Sequence, residues 1–114
     1  MAAECIFCRI VAGAIPADRI FEDDALIAIR DVNPQAPTHV LLIPRRHIAS
    51  LVDLSSQDRD LAGALLLAAR TIAARLGLTK GFRVVANTGL DGGQTVAHLH
   101  LHVLGGRPLG WPPG

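Results

Sequence analysis

The sequence predicts a single α+β domain with a five-stranded, mainly antiparallel sheet, one short helix and one long helix. Two observations support this fold class. Five short segments have the composition of strands, and short loops connect most of them. One long amphipathic helix interrupts the series, whereas a repeated βαβ fold would place a helix after each strand. The 114 residues, of which 50% are hydrophobic, can form one modest core, so we expect one domain over residues 1–114.

The strands are predicted from runs of apolar and β-branched residues that turn-forming residues bound. Asp23-Asp24 suits a hairpin turn between the first two strands, and residues 33–37 form a loop by composition. The third strand is apolar enough to be buried on both faces. In chain order, the predicted strands are Arg19–Glu22, Ala25–Arg30, His39–Pro44, Phe82–Ala86 and His98–Leu104.

Two helices are expected from apolar spacing and capping residues. The short one covers Cys5–Val11. The long one begins near Ser55, where Asp58 three residues later resembles a capping box. Apolar side chains then recur at helical spacing as far as Leu76, and Gly77 suits a C-terminal stop.

Composition excludes several classes of function. The formal net charge is +1 and 4% of the residues are aromatic, which argues against a protein that binds nucleic-acid backbones or stacks single-stranded bases. The longest apolar run, Leu65–Ala69, is too short to span a bilayer, and the N-terminus lacks the pattern of a signal peptide. We therefore expect a soluble, cytoplasmic protein that binds neither nucleic acid nor a membrane.

Three of the five histidines, His98, His100 and His102, stand at alternate positions. On a strand they would share one face, while the intervening apolar residues face the other. Imidazole can serve as nucleophile, proton carrier or metal ligand near neutral pH. Because a polar row of this kind is costly in an ordinary strand, we interpret it as a candidate catalytic site.

A glycine-rich loop, residues 87–95, precedes the histidine row. Its three glycines let the backbone approach a ligand closely, and Gln94 and Thr95 add side-chain donors. A glycine-rich hairpin turn is the alternative interpretation. The position beside the histidines favours phosphate binding next to an imidazole nucleophile.

Together these motifs resemble the histidine triad superfamily of nucleotide hydrolases and transferases, and within it the nucleotide-binding (Hint) branch. The resemblance implies the HIT-like fold, a two-fold dimer, and hydrolysis of purine nucleoside phosphoramidates to a nucleoside monophosphate and an amine. It covers nearly the whole chain. The matching segments are Phe21–Asp24, Pro34–His39, Ile43-Pro44, Gly92–Thr95, the row at 98–104 and Trp111–Gly114.

The resemblance also implies how the reaction proceeds. The middle histidine attacks the α-phosphorus and carries a nucleotidyl intermediate, which water resolves. The carbonyl of His98 would fix its tautomer, and the third histidine with the amides of Gly93–Thr95 would bind the non-bridging oxygens. A structural role is the alternative for His39. The implied catalytic residues are His39, Thr95, His100 and His102.

The implied nucleoside pocket is mostly apolar. Asp31 would accept hydrogen bonds from both ribose hydroxyls, and Asn87 would approach the ribose–phosphate junction. The alternatives are a loop-capping role for Asp31, and simple core roles for Ile29 and Leu41. The apolar lining would comprise Ile6, Phe7, Ile10, Ile29, Val32 and Leu41, and the phosphate end Gly93, Gln94, Thr95, His100 and His102.

Cys5 and Cys8 form a separate motif that suits zinc ligands, a redox pair or two core thiols. Redox use is disfavoured because the motif neither follows a strand nor opens a long helix. A tetrahedral zinc site needs two further ligands. By resemblance to the bacterial-type relatives that carry this pair, His47 and His98 supply them, which implies a structural zinc that catalysis does not need. Ends of the histidine row lie about 13 Å apart on a strand, so one ion cannot hold all three rings.

Two departures from the family pattern concern the leaving group. Thr95 replaces the usual serine but keeps the hydroxyl, and Gly110 stands where relatives often have a histidine, in a tail that reaches the other subunit. The dimer would pack the long helices through Leu61, Leu65 and Leu66, unless these leucines serve only the core. Two alternative functions are a nucleotide-binding module with slow turnover and a dinucleoside polyphosphate hydrolase.

Overall fold

A computed structural model describes residues 4–114, so Met1–Ala3, which the predicted domain includes, lie outside the described residues. Five antiparallel strands form one sheet in the order β1-β2-β3-β5-β4, which confirms the predicted α+β class. The helices are α1 (Ile6–Val11) and α2 (Arg59–Arg75), and two 3₁₀ turns cover Leu51–Asp53 and Ser56–Asp58. The strands are β1 (Arg19–Glu22), β2 (Leu26–Arg30), β3 (Thr38–Pro44), β4 (Phe82–Val85) and β5 (Leu101–Gly105).

Side chains alternate between the two faces of the sheet along each strand, and a different helix packs on each face. One face packs on α2, through residues such as Ala28, Leu42 and Val103. The other packs on α1, through residues such as Ile29 and Leu41. β3 is therefore buried on both faces, as predicted. His39 lies two residues before Leu41 on β3, and His102 of β5 pairs directly with Leu41. Both imidazoles therefore lie on the face of the sheet that packs on α1.

The capping box at the start of the long helix is confirmed, although it encloses a 3₁₀ turn rather than the first turn of α2. The Ser55 amide donates to Oδ2 of Asp58 at 2.8 Å. The Arg46 guanidinium pairs with the other carboxylate oxygen and, as the largest cause, holds the pKa of Asp58 below its usual value. At the other end, Gly77 adopts a φ of 74°, the left-handed conformation that ends a helix.

The prediction of a strand over His98–Leu104 is wrong for its first three residues, because β5 begins at Leu101. Hydrogen bonding explains the difference. The Leu99 amide donates to the carbonyl of Ile48 at 2.6 Å, and the His98 ring donates to the carbonyl of Pro44 at 2.9 Å. The end of β3 and the loop after it therefore hold this segment, in place of ladder pairing with a neighbouring strand.

The three leucines expected at a dimer surface have different environments. Leu65 is a core residue, and Leu61 is half-buried against the same core. Leu66 is 61% exposed, and its neighbour Leu67 is 55% exposed. The outward face of α2 therefore keeps two of its leucines in solvent in this protomer. Within residues 4–114, none of the helices has the length and apolar character needed to cross a bilayer.

Candidate active site

The backbone just before His100 determines which of its ring nitrogens carries the proton. Nδ1 lies 2.7 Å from the carbonyl oxygen of His98. A carbonyl oxygen only accepts hydrogen bonds, so Nδ1 carries the proton and donates it. The Nε2 atom of the neutral ring therefore keeps its lone pair, which is the tautomer that attack through Nε2 requires. The ring is buried and meets the Phe7 ring edge to face, with 5.0 Å between the two ring centroids.

A chain of hydrogen bonds fixes the tautomers of His39 and His102 as well. The Gln35 amide donates to His39 Nδ1 at 3.0 Å, so the neutral ring carries its proton on Nε2. That Nε2 lies 2.9 Å from Nδ1 of His102 and 3.4 Å from Oδ2 of Asp31. His102 accepts at Nδ1 and therefore keeps its own proton on Nε2. His102 thus supplies a hydrogen-bond donor, whereas His100 supplies a lone pair.

The same bonds argue against a metal ion held by Asp31, His39 and His102, although their donor atoms lie within 4.8 Å of one another. A metal ligand must present a lone pair. The bond from Gln35 places the proton of His39 on the nitrogen that would have to bind the ion. The three side chains therefore form a hydrogen-bonded network.

Burial lowers the pKa of His102 from 6.5 to about 4, assisted by the neighbouring His100 and His39, while Asp31 raises it. The ring is therefore neutral at physiological pH. We expect a two-bond ¹⁵N–¹H NMR titration of His102 to give a midpoint near pH 4. The Asp31→Asn variant should titrate lower still, because it removes the carboxylate that favours the charged ring.

The sign of this pKa shift also predicts an effect on stability. Between pH 6.5 and about 4, the unfolded chain binds a proton at His102 that the folded chain does not. The free energy of unfolding should therefore fall as pH is lowered through this window, with no contribution above it. Urea denaturation at pH 7 and pH 5 should show a smaller loss for His102→Gln than for the unchanged protein. An equal loss in both proteins would contradict the shift.

A cavity of about 600 Å³ opens on the α1 face beside these histidines. Three residues predicted to bind the nucleotide do not line this cavity: Asn87, Gly93 and Gln94. Sequence reasoning missed Ile15–Asp18, Arg30 and Val96, which also line the cavity. Ile15 and Ala17 follow the short helix and pack against the apolar side chains that α1 covers, as does Val96, which lies between the glycine loop and the histidine row. The predicted residues that line the cavity are Ile6, Phe7, Ile10, Ile29, Asp31, Val32, Leu41, Thr95, His100 and His102.

Three residues of the cavity wall, Ile29, Asp31 and Leu41, also have the structural roles that were their alternative interpretations. Ile29 and Leu41 are buried core residues that also line the cavity. Oδ1 of Asp31 accepts from the Asn33 amide at 2.8 Å, which is the loop cap, while Oδ2 faces His39. A core or capping role therefore does not exclude contact with a ligand.

The glycine loop is held closed by its own polar groups. The Gln94 side chain donates to the carbonyl of Ala49 at 2.7 Å and accepts from the Gly89 amide at 3.0 Å. The amides of Gly93 and Gln94 donate to carbonyls within the loop, each at 3.1 Å. Of the three amides expected to face phosphate, that of Thr95 is the one without such a partner among the described residues. Gln94 therefore shapes the loop, and Thr95 remains exposed beside the cavity.

A second cluster joins the N-terminus of α1 to the segment before β5. Its four donor atoms all lie within 4.8 Å of one another, which brings together the four residues proposed as metal ligands. His98 Nδ1 lies 3.3 Å from Sγ of Cys5 and 3.1 Å from Nδ1 of His47, and the latter lies 3.2 Å from Sγ of Cys8. His98 donates through Nε2 to Pro44, so Nδ1 faces the cluster as a lone pair.

Comparisons with known proteins agree with this geometry. A model of the HIT domain matches residues 12–109. The chain is 54% identical over 114 residues to an uncharacterised HIT-like protein of Synechococcus elongatus, with all of both chains covered. A HIT family hydrolase from Legionella pneumophila superposes with a TM-score of 0.96 at 48% identity, covering 97% of this chain and 100% of that one.

A zinc-bound histidine triad family protein from Mycobacterium smegmatis superposes with a TM-score of 0.82 at 36% identity, covering 94% of this chain and 78% of the other. The five-stranded sheet, the row of histidines and these matches over nearly the full length agree with one another. The chain belongs to the HIT domain family.

Proposed function

We propose that the protein is a nucleotide hydrolase that cleaves the P–N bond of purine nucleoside phosphoramidates. The observation that carries this proposal is the bond from His100 Nδ1 to the His98 carbonyl, at 2.7 Å, which leaves Nε2 as the nucleophile in a ring that lines the cavity. Related structures described as HIT family hydrolases support hydrolysis in general. The phosphoramidate substrate is the more specific part of the proposal.

In the proposed reaction, Nε2 of His100 forms a bond to the α-phosphorus as the P–N bond breaks, and the departing nitrogen takes a proton from solvent to leave as the amine. Water then cleaves the nucleotidyl-histidine, which releases the nucleoside monophosphate and restores the ring. The Nε2–H of His102 and the Thr95 amide donate to the non-bridging oxygens, where negative charge increases in the transition state. The Thr95 hydroxyl assists departure of the amine.

The nucleoside is proposed to occupy the cavity of about 600 Å³, which is large enough for a purine and a ribose. Its apolar wall, which includes Ile10 and Ile29, suits the flat face of a base. The Asp31 carboxylate suits the ribose hydroxyls, since it accepts several hydrogen bonds. Asn87 contributes indirectly, because its side chain donates to the Gly92 carbonyl at 2.6 Å and so supports the loop.

We also propose that Cys5, Cys8, His47 and His98 hold a structural zinc ion. Tetrahedral zinc with bonds of about 2.0–2.3 Å places its ligand atoms about 3.3–3.8 Å apart. The corresponding distances of 3.1–3.5 Å lie at or slightly below the short end of this range, so the donor atoms would move apart only slightly to surround the ion. Burial, together with Cys5, raises the pKa of the Cys8 thiol, so a bound cation would favour the deprotonated form of this sulfur. The ion would tie α1 to the segment that carries the histidines.

Steady-state hydrolysis of adenosine 5′-phosphoramidate, followed by release of the amine and the monophosphate, tests the proposed reaction. We expect multiple turnovers, and faster cleavage than for a dinucleoside polyphosphate at equal concentration. Tight binding of adenosine monophosphate without turnover would instead indicate a nucleotide-binding module. Faster cleavage of the dinucleoside polyphosphate would assign the protein to another class of nucleotide hydrolase.

The glycine loop provides a further prediction. A Cβ atom on Gly92 would lie 2.3 Å from the backbone oxygen of Thr88, so the Gly92→Ala substitution must displace the loop. We expect kcat/KM for the phosphoramidate to fall about tenfold or more, since small misplacements of binding groups are costly. Gly63→Ala is the matched control, because its Cβ meets nothing within 4 Å. Equal activity of both variants would contradict a role for this loop conformation.

We propose a homodimer that covers Leu66 and Leu67, because these two apolar side chains of α2 stay exposed in a single protomer. A cytoplasmic location is also proposed, in keeping with two cysteines that form no disulfide bond with each other. Light scattering after gel filtration should give twice the mass of one chain, and Leu66→Glu should reduce it to one.

A further inference from the structure

We infer that Arg107 is a positioning residue for His39: it supports the loop whose backbone amide fixes the His39 tautomer. This loop, residues 33–37, connects β2 to β3. Its Gln35 amide donates to His39 Nδ1 at 3.0 Å, and Arg107 donates to the Gln35 carbonyl at 2.9 Å. A continuous path therefore runs from the start of the C-terminal segment through the loop to His39 and on to His102.

Two independent contacts join the C-terminal segment to this loop. The Arg107 guanidinium donates both to the Gln35 carbonyl and to the carbonyl of Pro108, at 3.0 Å, so it links the two segments. The neighbouring Gly106 lies so close to Pro37 that a Cβ there would be 2.9 Å from a proline side-chain atom. Its φ of 93° is in the region that favours glycine, which lets the chain turn at the point of contact.

The other bonds of the loop are local. The Asn33 amide donates to Asp31, and the Gln35 side chain donates to the Asn33 carbonyl at 3.0 Å. Among the described residues, the bond from Arg107 is the side-chain hydrogen bond that reaches this loop from a distant part of the chain. The guanidinium suits the task because its planar group of donors can serve two carbonyls at once, whereas a lysine would serve them less well.

The tautomer matters because it determines what His102 can do. While Gln35 donates to Nδ1, neutral His39 must donate through Nε2, and His102 must accept through Nδ1. Without the Gln35 bond, His39 could carry its proton on Nδ1 and accept through Nε2. His102 would then donate through Nδ1 and present a lone pair on Nε2. That lone pair would repel an anionic phosphate oxygen, whereas the N–H attracts it.

The effect on turnover rests on the proposed function, but the effect on the tautomer does not. The test therefore uses NMR of the full chain with three variants: Arg107→Ala, Arg107→Lys, and Arg59→Ala as the control. Arg59 is an exposed arginine in the first turn of α2. Amide hydrogen exchange of Gln35 and the ¹⁵N shifts of the His39 and His102 rings are measured in each.

In Arg107→Ala, we expect exchange of the Gln35 amide to accelerate about three- to tenfold, the effect of losing one modest hydrogen bond. The ring shifts should reveal an Nδ1–H form of His39, and Arg107→Lys should restore part of the original signal. For phosphoramidate hydrolysis, kcat should fall with little change in KM. If Arg107→Ala does not fold, exchange in Arg107→Lys faster than in Arg59→Ala supports the inference.

Exchange and ring shifts identical to those of Arg59→Ala, in a folded Arg107 variant, would overturn the positioning role. If the protein without substitutions hydrolyses no phosphoramidate, the proposed function is refuted. The ring shifts would still decide the role of Arg107 in that case, so the two failures are distinguishable.

Discussion

Replacing His100 with alanine should lower kcat/KM for adenosine 5′-phosphoramidate by about 10⁴-fold or more. The expected size follows from the loss of a covalent nucleophile, since removing such a group in other enzymes costs four to six orders of magnitude, roughly. Neither His102 nor His39 can substitute for it. The first presents an N–H toward the phosphate, and the second is held by Gln35 and His102.

The control for this variant is a measurement of nucleotide binding. A second histidine cannot serve as a control, because the other four belong to the hydrogen-bonded network or to the proposed zinc site. His100→Ala should still bind adenosine monophosphate within about tenfold of the unchanged protein, since the apolar wall and Asp31 remain. Free imidazole, which fits the space that the ring vacates, should restore part of the activity. Full activity in the variant would exclude His100 as the nucleophile.

Replacing Cys8 with serine should abolish stoichiometric zinc binding and destabilise the fold. One zinc per chain is expected in the unchanged protein, since Cys5, Cys8, His47 and His98 form one compact set of donors. A structural zinc contributes directly to folding free energy. If its loss costs about 3 kcal/mol, the Tm of a domain of this size should fall by roughly 10–20 °C. Metal analysis and calorimetry measure the two effects.

Cobalt provides a complementary test of the same cluster. Substituted Co²⁺ should show the absorption of thiolate ligands in a tetrahedral site, and this signal should be lost in Cys8→Ser. The unchanged protein with a chelator should reproduce the lower Tm of the variant. A protein that binds no metal, and whose Tm does not respond to chelation, would indicate that the cysteines are simple partly buried thiols.

Local sequence patterns predicted most of the fold correctly, because the strands and helices follow from apolar spacing and from capping residues. The error at the start of β5 has a specific cause. Alternation suggested a strand from His98, but the partners of this segment are the carbonyls of Pro44 and Ile48. Backbone acceptors that lie some 50 residues away leave no signal in a local window.

In the candidate site, too, local motifs were predicted from the sequence, whereas contacts between distant segments were not. The row of histidines and the glycine loop were conspicuous in the sequence, but the atoms that orient them were not. The Gln35 amide is a backbone group, which nearly every residue type carries, so the identity of the residue could not suggest its role. The His98 carbonyl is also a backbone group, and its role was expected from the family resemblance rather than from the residue type. The role of Gln94 was likewise reassigned, because only the folded loop brings its side chain to Ala49 and Gly89.

Mass spectrometry of the protein during its first turnover tests the central proposal most directly. The protein is mixed with excess adenosine 5′-phosphoramidate, quenched within milliseconds in alkaline denaturant to protect the acid-labile P–N bond, and digested. We predict an adenylyl group on the peptide that contains His100, attached to Nε2 of that residue, and appearing as fast as the amine is released. Turnover that proceeds with no adduct, or with the adduct on a different residue, would contradict the proposal.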